Sequence, residues 1–132
     1  MAQLQLTVVT PETTALDEPV DFVALPLYDG EIGIAPGRAP MIGRLGYGEL
    51  RIVRGGQTTR YYVDGGFVQV ADNLVSVLTH RALPAASVDP QVAAEYLAEA
   101  RRRKANNDEL FAIRERLQQQ ARAQIRIAGH AH

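Results

Sequence analysis

Asp29-Gly30-Glu31-Ile32-Gly33-Ile34-Ala35-Pro36-Gly37-Arg38-Ala39-Pro40 is the stretch most like a phosphate-binding loop. Backbone N–H groups of a glycine-rich turn can cradle phosphates. This segment lacks the Gly-Lys-Ser/Thr ending of a P-loop, its glycines miss the dinucleotide spacing, and no βαβ pattern surrounds it. It reads instead as a structured turn and loop between strands. Its three glycines and two prolines specify one backbone path, and a rigid exposed loop makes a recognition surface. The other chemical groups are sparse. His80 closes a strand and reads as structural or exposed. His130 and His132 read as a fraying, disordered tail rather than a metal site. The two serines, Ser76 and Ser87, have no glycine-flanked elbow. The carboxylate pairs Asp17/Glu18 and Asp29/Glu31, and Asp64 before Gly65-Gly66, read as turn acids. Arg101-Arg102-Arg103-Lys104 is the one strong basic run. It suits the C-terminal end of a helix, with a docking patch for an acidic protein surface as the sharper reading. Glu95 and Glu99 lie one turn back and can pair with it.

Composition removes further classes. No cysteine occurs among the 132 residues, which excludes disulfides, thiolate metal sites and a cysteine nucleophile. A formal net charge of −1 argues against free nucleic-acid binding driven by phosphate neutralisation. No apolar run approaches the roughly 18 residues of a membrane helix. The N-terminus lacks the pattern of a signal peptide. The expectation is one soluble domain, or a domain with an appendage, and probing for a nucleophile–base pair finds none. Thirteen of fourteen basic residues are arginine, read first as a genomic composition bias.

Two halves must position these groups. Residues 1–84 carry six arginines against nine acids, and residues 85–132 eight basic residues against six acids. The first half reads as a β-sandwich or barrel. Gln3–Val8 and Glu49–Arg54 alternate at a strand's period, and Val20–Leu25, Thr58–Val63, Phe67–Ala71 and Leu74–Thr79 are further strand runs. Gly55-Gly56 and Asp72-Asn73 mark hairpins, and Asp64-Gly65-Gly66 marks another turn. The second half reads as a helical hairpin. After the connector Leu83–Ser87, Asp89 is the N-cap and Pro90 the first residue of a helix. Val92, Ala93, Tyr96, Leu97 and Ala100 share one face. Asn106 and Glu109 have capping-box spacing for a second helix, striped by Leu110, Ile113, Leu117, Ala121 and Ala128. Arg114, Arg122 and Arg126 cluster beside that stripe. So short a hairpin needs the sandwich, or a partner, to bury its stripe.

In order along the chain, Leu6–Glu12, Asp29–Ile42, Gly48–Ile52, Gly65–Val70 and Asn73–Leu78 resemble the epsilon-subunit family of the F-type ATP synthase (delta in mitochondrial naming). The Asp29–Ile42 stretch is similar to the family's Gly-Glu-x-Gly-Ile-x-Pro-Gly-His-Ala-Pro-Leu signature. The resemblance implies an N-terminal β-sandwich (1–84) bound to the central stalk and a C-terminal helix–loop–helix (85–132) with a regulatory role. It implies a non-catalytic rotor subunit without a cofactor, whose partners are the gamma subunit and the membrane ring of proton-carrying subunits. The ring would face Glu31, Ile32, Gly33 and Arg38. An extended hairpin would inhibit ATP hydrolysis, with Arg114, Arg122 and Arg126 approaching acidic segments of the alpha/beta catalytic head. The implied location is peripheral, at the cytoplasmic face of a bacterial plasma membrane or the stromal face of a thylakoid, without direct membrane insertion.

Two departures from the family pattern stand out. Arg38 replaces the usual histidine with a permanent charge. Some members bind ATP on the folded hairpin through Ile/Leu-Asp-x-x-Arg-Ala and later arginines. Here Asp89 and Arg103 fit that pattern, but Val92 and Glu99 stand where cations belong, so ATP is not expected to bind at physiological concentration. The alternative reading is a free-standing module that binds a small ligand or nucleotide on the same scaffold, and an enzyme is a distant third.

Overall fold

The computed structural model describes the backbone of residues 3–131 and the side chains of residues 3–128. His130 and His132 therefore lie outside the described side chains, and the tail reading made for them goes no further.

Eight strands form one continuous, folded sheet: β1 (Leu4–Val9), β2 (Thr14–Val20), β3 (Phe22–Leu27), β4 (Gly30–Ile34), β5 (Met41–Arg54), β6 (Gln57–Ala71), β7 (Leu74–Leu78) and β8 (Ala82–Pro84). The order is β2-β1-β7-β6-β5-β3-β4, with β8 on β6. Only β1 and β7 run parallel; the other pairs are antiparallel. The long strands β5 and β6 belong to both layers. Met41–Arg44 pairs with Phe67–Val70, which continues into β7 and β1, whereas Leu45 and Arg51–Val53 pair with β3. One apolar core fills the space between, built from Leu4, Leu6 and Val8 of β1, Val75 and Val77 of β7, Val23 and Leu25 of β3, and Leu50 and Ile52 of β5. In β1, β5 and β7 these follow from alternation, since a period of two puts every second side chain inside; in β3 the intervening Ala24 is buried as well.

Both predicted hairpins form. Gly55 and Gly56 (φ 58° and 78°) join Arg54 to Gln57, and Asp72 and Asn73 (φ 51° and 62°) join Ala71 to Leu74. Positive φ at both central residues matches the twist of the flanking strands. The third expected turn is different. Asp64-Gly65-Gly66 lies inside β6, where Tyr47 pairs with Asp64 and Leu45 with Gly66, and the positive φ of Gly65 and Gly66 bends the strand between layers. A Cβ on Gly66 would collide with the Leu78 carbonyl oxygen. Asp17 and Glu18 are not turn acids either. They lie in β2, an edge strand whose charges and Pro19 fit an unpaired border. Glu31 likewise lies in edge strand β4.

After a short 3₁₀ turn (Ala85–Ser87) come α1 (Pro90–Arg102) and α2 (Asp108–Ala131). Asp89 caps α1 as expected, its Oδ1 accepting from the Gln91 and Val92 amides at 2.9 and 3.4 Å. The second cap is Asn107 rather than Asn106, its Oδ1 accepting from the Leu110 amide at 2.8 Å. Of the expected α1 face, Ala93 and Ala100 are buried but Val92 and Tyr96 are exposed. Ala121 and Ala128 of the α2 stripe are buried, with Leu110, Ile113 and Leu117 half-buried. Ala123 and Ile127 add a second buried line, which packs with Ala128 on Tyr62, Ala85 and Val88. The hairpin is therefore docked on the sandwich.

Candidate functional site

Three surfaces concentrate the side chains that could act on a partner. The first is the glycine-rich segment. Glu31 of β4 pairs with Arg51 at 3.5 Å. Ile32 is half-buried against the core. Gly33 lies under the Phe22 ring, where a Cβ would come within 2.8 Å of Cζ. Beyond β4 the Gly37 amide donates to Asn73 Oδ1 at 2.8 Å, which ties the loop to the β6–β7 hairpin. Arg38, next to the Gly37 anchor, is exposed. The segment is thus braced along β4 and at Gly37, while the Arg38 side chain faces solvent.

The second surface is the outer face of β5, β6 and β7. Register places Arg44 beside Phe67, Phe67 beside Leu78, and Ile42 beside Gln69, itself beside Ser76. Ile42 is 75% exposed, Phe67 58%, Leu74 53% and Leu78 54%. Phe67 and Leu78 also line a cleft of about 280 Å³ with Val9, Pro11 and the segment to His80. His80 is exposed after β7. Gln69 and Ser76 interleave with these apolar side chains, and exposed large apolar side chains gathered on one sheet face suit an interaction site.

The third surface is the seam between hairpin and sandwich. Asp64 is 7% exposed. Its Oδ1 accepts from the Tyr62 hydroxyl at 3.1 Å and from Gln120 Nε2 of α2 at 2.8 Å. Its Oδ2 lies 3.5 Å from Arg81 Nη2, and the Arg81 guanidinium also stands over the Tyr62 ring at 5.6 Å. Burial, with the Asp64 carboxylate second, pushes the Tyr62 phenol far above its ordinary range, so it stays a donor. The same two causes raise Tyr47. Asp64 was read from sequence as a turn acid. Asp64 shares the hairpin-facing side of β6 with Tyr62, opposite the core-facing Tyr61 and Val63, and the two glycines that follow mask that pattern in the sequence.

The predicted basic residues separate. Arg114 is half-buried, stacks over Phe111 at 5.4 Å and leaves its Nε buried without a hydrogen-bond partner. Arg122 and Arg126, one turn apart and exposed, line a groove with Tyr28 and Tyr47 of the sandwich. Arg101, Arg102, Arg103 and Lys104 are all exposed, and among the described residues none forms an ion pair with Glu95 or Glu99. Arg103 lines a cavity of about 330 Å³ between the helices, together with Arg81, Tyr96 and Glu99. Asp89 spends its carboxylate on the helix cap instead. Among the described residues no group of three His, Asp or Glu side chains is placed to hold a metal, and no helix is long and apolar enough to cross a membrane.

A bent β-sandwich with a helical hairpin docked on its side, and an apolar outer face left open, defines a protein built to be covered by others. Residues 3–85 match the family model described as ATP synthase, Delta/Epsilon chain, beta-sandwich domain. The chain belongs to the ATP synthase delta/epsilon family. It is similar to the ATP synthase epsilon chain of Rhodopirellula baltica, 50% identical over 125 residues that span 95% of this chain and 98% of that one. The ATP synthase epsilon chain of Granulibacter bethesdensis is 39% identical over 136 residues, 98% and 100% of the two chains. A chain of the Euglena gracilis mitochondrial ATP synthase OSCP/F1/c-ring assembly superposes with a TM-score of 0.86 at 26% identity, covering 100% of this chain and 83% of that one. A chain of the Tetrahymena thermophila mitochondrial ATP synthase central stalk and c-ring shares the fold, with a TM-score of 0.77 at 13% identity over 96% and 97% of the chains.

Proposed function

We propose that this chain is a non-catalytic rotor subunit of the central stalk of a proton-translocating F-type ATP synthase, with no active site of its own. It couples rotation of the membrane ring to the gamma subunit. The observation that carries this reading is the exposed apolar face of Ile42, Phe67, Leu74 and Leu78, in a chain whose relatives are epsilon chains. A lone domain gains nothing from such a face; a stalk subunit buries it against gamma. Residues 1–84 form the unit that binds stalk and ring, and residues 85–132 the regulatory unit. Glu31, Ile32, Gly33 and Arg38 face the ring. The brace from Gly37 to Asn73 and the Glu31–Arg51 pair support that role, because an interface that transmits torque must not bend. The protein works as a peripheral subunit at the cytoplasmic face of a bacterial plasma membrane, or at the thylakoid stroma.

Extension of the hairpin would bring Arg122 and Arg126, with Arg114 released from Phe111, to acidic segments of the alpha/beta head and inhibit hydrolysis. ATP does not hold the hairpin at physiological concentration. Of the residues matching the nucleotide motif, Asp89 is committed to its cap, and Arg103 lines the interhelical cavity one turn from Glu99 on the same helix.

Co-purification with gamma tests the assignment. Phe67→Asp with Leu78→Asp should leave the isolated chain folded, since both side chains already face water, and should abolish capture by gamma. Retained capture would move the gamma interface elsewhere. A chain that never binds gamma, and is a monodisperse ligand binder alone, is the free-standing module instead.

A further inference from the structure

A row of side chains crosses the outer face of the sandwich. Register sets Arg44 of β5 beside Phe67 of β6, Phe67 beside Leu78 of β7, and Leu78 beside Val9 of β1. The cleft of about 280 Å³ occupies the Val9 end of the row. A second cleft, of about 380 Å³, shares Gly66, Phe67 and His80 with it and adds Arg44, Tyr28 and Tyr47. Apolar surface therefore runs directly into a basic and aromatic corner.

Arg44 is exposed yet held in place. Its guanidinium stands over the Tyr28 ring at 4.4 Å, and its carbonyl accepts from the Tyr28 amide at 2.8 Å. The five ion pairs among the described residues use Arg51, Arg54, Arg60 and Arg81, but not Arg44. Among the described residues no carboxylate lines either cleft. Asp64, next to Gly65 in the chain, turns its carboxylate to Arg81 and Gln120 at the seam. His80 is exposed, and its ring lies close over Gly65, where a Cβ would stand 3.9 Å from Cδ2.

We propose that a partner carboxylate enters the second cleft and pairs with Arg44, while an apolar side chain of the same partner segment seats on Phe67 and Leu78. A guanidinium over an aromatic face keeps its N–H groups in its own plane, where a carboxylate can engage two of them at once. The His80 ring supplies a further N–H. Neighbouring strands lie about 4.8 Å apart, so Arg44 and Leu78 are about 10 Å apart across the face. Acid and apolar anchor thus sit within about two helical turns of each other in the partner. Apolar contact alone would let a partner slide along the sheet; a charge pair at one end of the row fixes its register. This inference rests on the stalk reading, in which the partner is gamma, and it names the kind of gamma segment that covers the face.

The experiment measures affinity of the full-length chain for a catalytic head that contains gamma but lacks this subunit. Arg44→Gln should weaken binding about tenfold, and Arg44→Glu further, with the melting temperature of the isolated chain unchanged. Arg44→Lys should fall between Arg44→Gln and the unaltered chain, because an ammonium keeps the charge without the fork. Added sodium chloride should weaken the unaltered chain more steeply than Arg44→Gln. Arg54→Gln, which removes a guanidinium paired with Glu18 elsewhere on the sheet, should bind normally. With the carboxylates of gamma reversed to Arg one at a time, one reversal should restore binding to Arg44→Glu. Normal affinity in Arg44→Gln, while Phe67→Asp abolishes binding, overturns the acid pairing and leaves the stalk reading standing. Equal weakening by Arg54→Gln, or no rescue by any gamma reversal, overturns the pairing as well. An unaltered chain that does not bind the head overturns the stalk reading and this inference with it.

Discussion

Asp64 is a carboxylate withdrawn from water, and the side chains around it make that affordable. Its donors come from three places in the chain: Tyr62 two residues back, Arg81 at the start of the connector to β8, and Gln120 on α2. Only the last reaches across the seam. Gln120→Ala removes one bond to a buried charge while Tyr62 and Arg81 remain, so it should cost about 1–2 kcal/mol. The loss should fall on docking of α2, seen as faster hydrogen exchange along the helix with the sandwich amides unchanged. Uniformly faster exchange would show that Gln120 supports the whole fold and not the seam. Asp21 makes a different prediction. Its carboxylate accepts from the Gly55 amide at 2.8 Å and Gln3 at 3.1 Å, and these bonds, the Gly55 amide first, hold its pKa below the ordinary value. A lowered folded-state pKa stabilises the fold above the unfolded value, and that contribution fades as pH falls through the folded one. Asp21→Ala should therefore lower the melting temperature at pH 7 and have a smaller effect near pH 3.

At the scale of elements, the helical hairpin depends on its ends and on what covers it. Asn107 satisfies the Leu110 amide at the start of α2, so Asn107→Ala should cost about 1 kcal/mol. Asn106→Ala should cost almost nothing, and comparing the two melting temperatures separates the observed cap from the one expected from spacing. The capping box was legible only to within one residue, because Asn106 and Asn107 are chemically equivalent and only backbone geometry chooses between them. The alternating strands and the two tight hairpins were legible because period and turn chemistry are local. β2 was hidden by Asp17, Glu18 and Pro19, whose composition resembles a turn but suits an edge strand, where one side needs no partner. The bend in β6 was hidden for the opposite reason. Gly65 and Gly66 signal a reversal, yet Gly66 is glycine because Leu78 comes too close for a side chain. The second buried line of α2, Ala123 and Ile127, also escaped the periodic reading. It faces the sandwich rather than α1, and a single-stripe template cannot describe a helix packed on two sides. The candidate arginines were legible as a group, but their division into Arg114 on one hand and Arg122 with Arg126 on the other depends on where α2 docks.

For the molecule as a whole, what matters is how firmly the hairpin is held. Its contact with the sandwich is made by the mostly small side chains Ala85, Val88, Ala123, Ile127 and Ala128 around Tyr62, and by a few polar contacts, Gln120 with Asp64 and Gln124 with the Tyr62 hydroxyl. Such a contact stabilises by a few kcal/mol, the scale on which two arrangements of one chain can exchange. The sandwich core shares none of these residues, so the β-domain should survive loss of the hairpin even though Tyr62 becomes exposed. A truncation ending at Ser87 should therefore still bind gamma through the outer face of β5, β6 and β7. In ATP hydrolysis by a catalytic head that contains gamma but lacks this subunit, the full-length chain should lower the rate and the truncation should not. Reversal of Arg122 and Arg126 to Glu in the full-length chain should then relieve inhibition without loss of binding. If full-length chain and truncation bind equally and neither inhibits, the hairpin is a structural brace and rotation is coupled by the sandwich alone. If neither associates with the head, the stalk assignment fails, whatever the fold resembles.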